Sequence, residues 1–300
     1  MTNSEKDEIT GQIHGTPPEL FVYWIKERWS ILQKKQKGLS KPWSEDKVFQ
    51  TTYFTNVRRE DDTVTKWIRN RWGIYQSENN YELAIILARF VNWPETLNFI
   101  GFPFTFNPDH IEKCIEERMQ MGVKTWGNAY VITTHGLHMG KAAYLVRNVL
   151  QGAYASSTAI RTATRHVAQG GKTRQLEGAY NALIQLEGLG SFLAAQVVAD
   201  LKNTKGHPLG LADDWWEWCA PGPGSLRGMS WFFYGEPGKI KPNVFTEGMK
   251  KIRRYVDHHL MGLGISPFCN QDLQNCLCEF DKYMRVKNGT GRSKRGYNGI

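Results

Sequence analysis

Apolar residues recur at helical spacing along most of the chain. Thr16 suits a helix cap, Pro17 suits the first helical position and Gly38 can end the helix, so residues 16–37 predict a first helix. Its apolar stripe consists of Leu20, Phe21, Trp24, Ile25 and Leu32. This spacing predicts that one face of the helix lies against a core.

The same periodicity predicts helices in most of the remaining chain. They are expected at 79–91, from Pro94, and at 108–121, 141–151, 173–187, 243–261 and 270–285. The strongest strand signal is 123–133, where Gly127 and Asn128 suit a short hairpin. Residues 203–242 are rich in Gly and Pro and predict a long ordered loop. The fold class that this pattern predicts is all-α.

The charge balance indicates a polyanionic partner. The 300 residues include 38 Lys and Arg against 29 Asp and Glu, a net charge of +9, which is typical of nucleic-acid binding. No apolar run approaches the roughly 18 residues of a membrane span, and the polar start does not suit a signal peptide. Five cysteines without a CxxC motif indicate a reducing compartment. We therefore expect a cytoplasmic protein without a membrane partner.

Residues 186–194 fit the helix-hairpin-helix pattern, which holds DNA by its backbone. Gly188 and Gly190 permit a tight turn between two helices, and Ala194 lets these helices pack closely. The free N–H groups at the start of the second helix can face a phosphate. We predict a hairpin at 176–201 with Gly188, Gly190 and Ser191 as DNA-binding residues. The alternative is a plain helix–turn–helix connection.

In this spacing the chain resembles the helix-hairpin-helix DNA glycosylases. The resemblance implies an all-α, glycosylase-like fold of two helical lobes with a Gly/Pro-rich active-site loop, here 205–224. A catalytic aspartate would then match Asp213 or Asp214 by position. Phe192 departs from the pattern, since it stands where bifunctional glycosylases carry a Schiff-base lysine. The cysteines also lack the spacing of an iron–sulfur site.

Four further segments, in order along the chain, carry a more specific resemblance. They are NVRRED at 56–61, FLAAQVVAD at 192–200, PGPGSLRG at 221–228 and LCEFDKY at 277–283. Together they resemble the α-glutamyl/putrescinyl-thymine pyrophosphorylases, or amino acid:DNA transferases. This bacteriophage family is similar to the helical domain of 5-hydroxymethyluracil DNA kinases. The resemblance covers roughly residues 20–285.

The resemblance implies a reaction on double-stranded DNA during phage thymine hypermodification. A 5-hydroxymethyluracil base, activated as its pyrophosphate ester by a separate 5-hydroxymethyluracil DNA kinase, would lose pyrophosphate to a free amine, such as the amino acid glycine. This sequence contains no GxxxxGK[ST] motif, so we predict a partner of that kinase and not the kinase itself. Two alternatives stay open: a DNA glycosylase acting on a modified base, and a non-catalytic DNA-binding domain that serves the kinase.

Such a reaction needs cations for the pyrophosphate. Arginines beside acidic residues, or after a rigid Pro/Gly turn, are suited to bidentate phosphate binding. The candidates for this site are Arg58, Arg59, Glu60, Asp61 and Arg227. The alternatives are a salt-bridged loop at 58–61 and a purely structural turn at 221–224.

The reaction also needs a base for the ammonium nucleophile. Asp213 or Asp214 is the first catalytic candidate, with a helix cap as the alternative. Glu279 and Lys282 are three residues apart and share a helix face, where they could bind the ammonium and the carboxylate of an amino acid. A surface ion pair is the alternative there. Gln196, on the second hairpin helix, could read a base edge.

The sequence predicts no metal site. His135, His138 and the pair His258-His259 lack cysteines at zinc-finger spacing. No cofactor is required by the pattern, although Mg²⁺ on the pyrophosphate is chemically reasonable. For the domain organisation we predict a single helical unit at 1–285 and a basic flexible tail at 286–300.

Overall fold

The computed structural model describes residues 16–127, 134, 136–165 and 175–291. Within these ranges the regular secondary structure is helical, which confirms the all-α prediction. No helix in the same ranges is both long and apolar enough to cross a membrane. The internal contacts divide the chain into two compact units, unit 1 with Met1–Asp61 and Cys219–Ile300 and unit 2 with Asp62–Trp218.

Within the described residues, turns, irregular segments and 3-10 segments connect the α-helices. In chain order they are α1 (Pro17–Gln36), α2 (Lys47–Thr51), α3 (Thr63–Arg71), α4 (Tyr81–Val91), α5 (Pro94–Ile100), α6 (Pro108–Gln120), α7 (Lys141–Tyr144), α8 (Gln151–Ala155), α9 (Ser157–Arg165), α10 (Gln175–Leu183), α11 (Ser191–Lys202), α12 (Pro223–Tyr234), α13 (Phe245–Leu260) and α14 (Asn270–Lys287). A π-helical segment, Leu145–Leu150, joins α7 to α8. Unit 1 contains α1, α2 and α12 to α14, and unit 2 contains α3 to α11.

The start of α1 shows why local rules predicted this helix correctly. The backbone N–H of Thr16 donates to Glu19 Oε2 at 2.7 Å, and Pro17 occupies the first helical position. Trp24, from the predicted apolar stripe, is completely buried in the core of unit 1. After the helix, Gly38 adopts a φ of 67°, a left-handed conformation that suits glycine at a helix end.

The Gly/Pro-rich stretch contains α12, so the prediction of one long loop at 203–242 was wrong. Pro223 lies in the first turn of this helix, where a missing N–H costs nothing. Gly224 and Gly228 face α14. A Cβ at Gly228 would lie only 1.9 Å from the carbonyl oxygen of Leu277. These glycines therefore serve close helix packing and not loop flexibility.

Unit 2 is built around α4, of which every residue is buried. The helices and turn predicted at 176–201 are present as α10, a turn and α11. In the turn Gly188 has a φ of 80°, which a residue with a side chain rarely adopts. Ala194 is completely buried, as close packing of the two helices requires. The assignment to the helix-hairpin-helix glycosylase fold stays a prediction.

Other local predictions differ from the structure or lie outside it. Residues 123–127 form no strand, and 128–133, the rest of the predicted hairpin, lie outside the described residues. Helix α9 was not predicted. Lys287 belongs to α14, although the predicted tail begins at residue 286. Residues 292–300 lie outside the described part, as does His135.

Candidate functional site

Three of the four segments that carried the sequence resemblance meet in unit 1, around α14. Polar side chains on one face of this helix hold the segment at 52–61. Asp272 Oδ1 accepts the backbone N–H of Arg59 at 2.7 Å, and Glu279 Oε2 accepts that of Thr55 at 3.1 Å. Between them, Asn275 donates to the hydroxyl of Thr55 at 3.1 Å. These side chains recur every three to four residues, so they form a single ladder along α14.

The arginine pair at positions 58 and 59 lies at the N-terminal end of this ladder. Arg58 donates through Nη2 to the carbonyl of Ile265 at 2.6 Å, and its guanidinium lies 5.1 Å from the ring centroid of Trp29. Its ion pair with Glu60 is long, at 3.8 Å. Arg59 is buried, in a short 3-10 turn, Arg59–Asp61. Of the two arginines, only Arg58 is therefore accessible to a ligand.

A second cationic group surrounds Asp281, which is only 1% exposed. Arg227 on α12 donates to Asp281 Oδ2 through Nε at 2.9 Å and through Nη2 at 2.9 Å. Arg285 Nε approaches the same oxygen at 3.2 Å, and Trp231 Nε1 donates to Oδ1 at 3.2 Å. The side chains of Arg227 and Arg285 are 41% and 37% exposed. Among the described residues neither has a second carboxylate partner, so this group carries a surplus positive charge at the surface.

The predicted amino-acid site at Glu279 and Lys282 is an ion pair in this structure. Lys282 Nζ lies 2.7 Å from Glu279 Oε2, and the two side chains are 25% and 12% exposed. The ammonium also lies 4.9 Å from the ring centroid of Phe54. The predicted sharing of a helix face is thus correct, and the pair is sheltered more than an ordinary surface pair.

Cys278 lies among these charges. The pKa of its thiol is raised to about 11, mainly by burial and also by the charges of Glu279 and Asp281, while Lys282 and Arg227 work in the opposite direction. The thiol is therefore neutral at physiological pH and unsuited to act as a nucleophile. These four charges act on one thiol, and Arg285 shares the carboxylate of Asp281 with Arg227. We call the five residues the α14 charge cluster: Arg227, Glu279, Asp281, Lys282 and Arg285.

The structure does not bring Arg58 and Arg59 into the α14 charge cluster. Arg59 is fixed at Asp272, and Arg227 is fixed at Asp281, nine residues further along α14. At 1.5 Å per residue, these anchor points lie about 13 Å apart along the helix. The two cationic groups are therefore anchored at different places along α14.

The two aspartates predicted as catalytic bases lie in unit 2 and differ in exposure. Asp213 is exposed, whereas Asp214 is buried. Asp214 accepts the backbone N–H of Leu176 at 2.9 Å and that of Glu177 at 3.2 Å, one on each carboxylate oxygen. Asp214 thus caps α10, which agrees with the helix-cap alternative and not with a catalytic base. The capped helix precedes Asp214 in the chain, whereas the alternative expected a cap of the residues that follow it.

The predicted DNA-binding residues lie at the tip of the hairpin in unit 2. Gly190 and Ser191 are exposed, and Gly190 precedes the first turn of α11. Gly188 is enclosed, since a Cβ there would lie 2.5 Å from Val149 Cγ2. Gln196 is buried on α11, so its amide is not presented to a base edge.

Sequence reasoning missed a buried polar network in unit 2. Arg89 and Asp200 are both completely buried at their side chains and form an ion pair. Thr65 donates its hydroxyl to Asp200 Oδ1 at 2.8 Å. The network joins α3, α4 and α11 and has a structural role. Within the described ranges no group of three or more His, Cys, Asp or Glu side chains could hold a metal ion.

Comparison with known proteins relates this chain to one described protein family. Residues 18–293 match the family described as the helical domain of 5-hmdU DNA kinases. A 5-hmdU DNA kinase of Bacillus phage SP10 is 31% identical over 137 residues, which cover 42% of this chain and 21% of that protein. The matched region is thus about a fifth of the length of that relative. No solved structure matches the chain.

Proposed function

The chain belongs to the family of 5-hmdU DNA kinase helical domains, and from this premise we propose that it acts in thymine hypermodification as an amine transferase. Its substrate would be double-stranded DNA in which 5-hydroxymethyluracil carries a pyrophosphate ester made by a separate kinase. A free amine, such as that of glycine, attacks the exocyclic methylene. The C–N bond forms, the C–O bond breaks, and pyrophosphate leaves with the electron pair.

The surplus positive charge at Asp281 carries this proposal. A departing pyrophosphate bears about three negative charges, and a guanidinium can bind two phosphate oxygens at once. Arg227 and Arg285 are both held on one buried carboxylate and are both partly exposed. Their side chains are therefore pre-oriented before the leaving group arrives, so little ordering entropy remains to be lost.

The neighbouring ion pair suits the nucleophile. An amino acid carries a carboxylate and an ammonium, so it can replace the contact between Lys282 and Glu279 with two contacts of the same kind. Glu279 would then accept a proton from the ammonium, which frees the lone pair for attack. Asp214 is less suited to this role than Glu279, because both its oxygens already accept backbone N–H groups.

The test is pyrophosphate release from an oligonucleotide that carries the pyrophosphorylated base, with glycine present or absent. We expect release only when both substrates are present. Arg227→Ala and Arg285→Ala should each slow turnover roughly 100-fold, the usual effect of removing one well-placed donor. Arg254→Ala, an exposed position on α13, is the matched control and should keep the wild-type rate.

Arg58→Ala separates the two cationic groups. If the leaving group binds at Asp281, this variant should turn over nearly as fast as the wild type. If Arg58→Ala instead loses most of its turnover rate while Arg227→Ala and Arg285→Ala keep the wild-type rate, the leaving group binds near Arg58 and not at Asp281. Formation of abasic sites would instead indicate a glycosylase. DNA binding without any turnover would indicate a non-catalytic partner of the kinase.

A further inference from the structure

Unit 2 contains an open groove of about 860 Å³ that none of the roles above uses. The groove is lined by α9, by the end of α8 and by the turn that precedes α4. Its lining residues are polar or basic for the most part: Asn79, Asn80, Tyr154, Ala155, Ser157, Thr158, Arg161, Thr162 and Arg165. Small-molecule pockets are lined mainly by apolar side chains, so this composition points to another kind of ligand.

A stripe of hydrogen-bond donors runs along the groove on α9. Ser157, Arg161 and Arg165 are spaced four residues apart and therefore lie on one face of the helix. Thr158 and Thr162 line the same wall, where the hydroxyl of Thr162 donates to the carbonyl of Thr158 at 2.9 Å. Among the residues that the structure describes, the lining includes no Asp or Glu, so a bound anion would meet no carboxylate from them.

The two arginines of the stripe are held differently. Arg165 pairs with the buried carboxylate of Glu82 at 2.7 Å. Burial works to raise the pKa of Glu82, but hydrogen bonding to His207 and the charge of Arg165 lower it overall, so this carboxylate is ionised and offsets Arg165. Arg161 donates to the carbonyl of Glu78 at 2.8 Å, and within the described residues it has no carboxylate partner. Its charge is available to a ligand.

Helix ends and an aromatic ring complete the groove. Ser157 begins α9 and Asn80 precedes α4, so two helix N-termini with their partial positive charge open onto the same space. Tyr154 is 44% exposed and packs against Phe106 at a ring-centroid distance of 4.8 Å. The side-chain amide of Asn80 donates to the carbonyls of Pro103 and Phe104, at 3.1 and 3.0 Å, so this amide is not counted among the donors to a ligand. Arginine, hydroxyl and tyrosine donors together with helix N-termini belong to the set with which proteins hold nucleic-acid phosphates.

We infer that this groove binds the sugar–phosphate backbone of DNA, as a contact surface separate from the α10–α11 hairpin. The inference rests on the proposed function only in taking DNA as the polyanion. It requires no chemistry at the groove. Since phosphate contacts carry little sequence information, binding here should be independent of base sequence.

The experiment is fluorescence anisotropy with a labelled, unmodified 20-base-pair duplex over a range of salt concentrations. Removing one phosphate contact lowers the salt slope by about 0.9, which at 0.1 M salt corresponds to a roughly eightfold weaker Kd. We expect this change for Arg161→Ala on duplexes of different sequence. Thr158→Glu, which places a carboxylate in the groove, should weaken binding further. Arg71→Ala, an exposed arginine on α3 outside the groove, is the control and should match the wild type.

Wild-type Kd and salt slope in both groove variants would overturn the inference. It would also fail if inorganic pyrophosphate bound the wild type but not Arg161→Ala while DNA binding stayed normal, because the groove would then be a small-anion site. The two proposals fail separately. If Arg161→Ala loses DNA affinity but the wild type releases no pyrophosphate, the groove proposal is supported and the transferase proposal is rejected. If Arg161→Ala binds DNA normally and the wild type releases pyrophosphate, the transferase proposal is supported and the groove proposal is rejected.

Discussion

Gly228 tests whether the close contact between α12 and α14 is as tight as the structure shows. A Cβ at this position would lie 1.9 Å from the Leu277 carbonyl oxygen, where real Cβ contacts stay above 3.0 Å. Gly228→Ala therefore requires the two helices to separate by at least 1.1 Å, the difference between these distances. The obstacle is backbone of α14, which cannot rotate away as a side chain can.

Two effects of opposite sign decide the outcome. Alanine favours the helix interior over glycine by about 1 kcal/mol. Against this gain, overpacking a well-packed core costs about 1–3 kcal/mol and more when backbone must move. The displaced helix also carries Met229 and Phe232, which are 0% and 4% exposed in the core of unit 1. We expect a net loss of about 2 kcal/mol in the free energy of unfolding.

Urea denaturation followed by circular dichroism measures this loss, and other glycines provide a graded control. At Gly178 on α10 nothing lies within 4 Å of a Cβ, so Gly178→Ala should gain up to about 1 kcal/mol. At Gly248 on α13 the obstacle is the flexible end of Met229, with Sδ at 2.5 Å, so Gly248→Ala should fall between the two. A Gly228→Ala variant as stable as the wild type would refute the reasoning.

Two further predictions concern unit 2. Asp and Asn both suit the helix-cap position of Gly190, where the space around a Cβ is open, so Gly190→Asp and Gly190→Asn should both stay within about 1 kcal/mol of wild-type stability. Only Gly190→Asp should weaken DNA binding, at least about tenfold, because its carboxylate repels a phosphate. Equal Kd values for the two variants in fluorescence anisotropy would show that the hairpin does not bind DNA. The second prediction concerns His207, whose pKa burial lowers below 6.5 despite its hydrogen bond to Glu82. At mildly acidic pH this side chain therefore binds fewer protons in the folded chain than in the unfolded chain. The free energy of unfolding should then fall as the pH drops below about 6.5. His207→Gln should flatten that part of a stability–pH curve from urea denaturation; an unchanged slope would contradict the assignment.

Local sequence rules were sufficient where a helix is defined by its own ends. Thr16, Pro17 and Gly38 bracket α1, and the prediction of that helix was confirmed. They were insufficient at α12, since Gly224 and Gly228 have partners some 50 residues away on α14. A glycine required for close packing and a glycine required for a turn are identical in sequence, so composition alone favoured a loop.

The candidate site was predictable only in part for the same reason. The spacing of Glu279 and Lys282 correctly predicted a shared helix face. Asp281 and Arg285 are four residues apart on the same helix, a signal for an ion pair that sequence reasoning could have used. The contact of Arg227 with Asp281 joins two helices and has no local signal. The relation to the kinase helical domain, expected from four segments, is confirmed by the family match, while the transferase activity stays a prediction.

The requirements of folding and of anion binding coincide at Asp281. A carboxylate that is 1% exposed is stable in its ionised form only if strong donors replace its water, and Arg227, Arg285 and Trp231 supply them. Two guanidiniums on one carboxylate leave one positive charge unbalanced and repel each other across a short distance. Under the proposed function, a bound pyrophosphate would relieve that repulsion. The arrangement that lets unit 1 bury Asp281 is therefore the arrangement that a departing pyrophosphate would need.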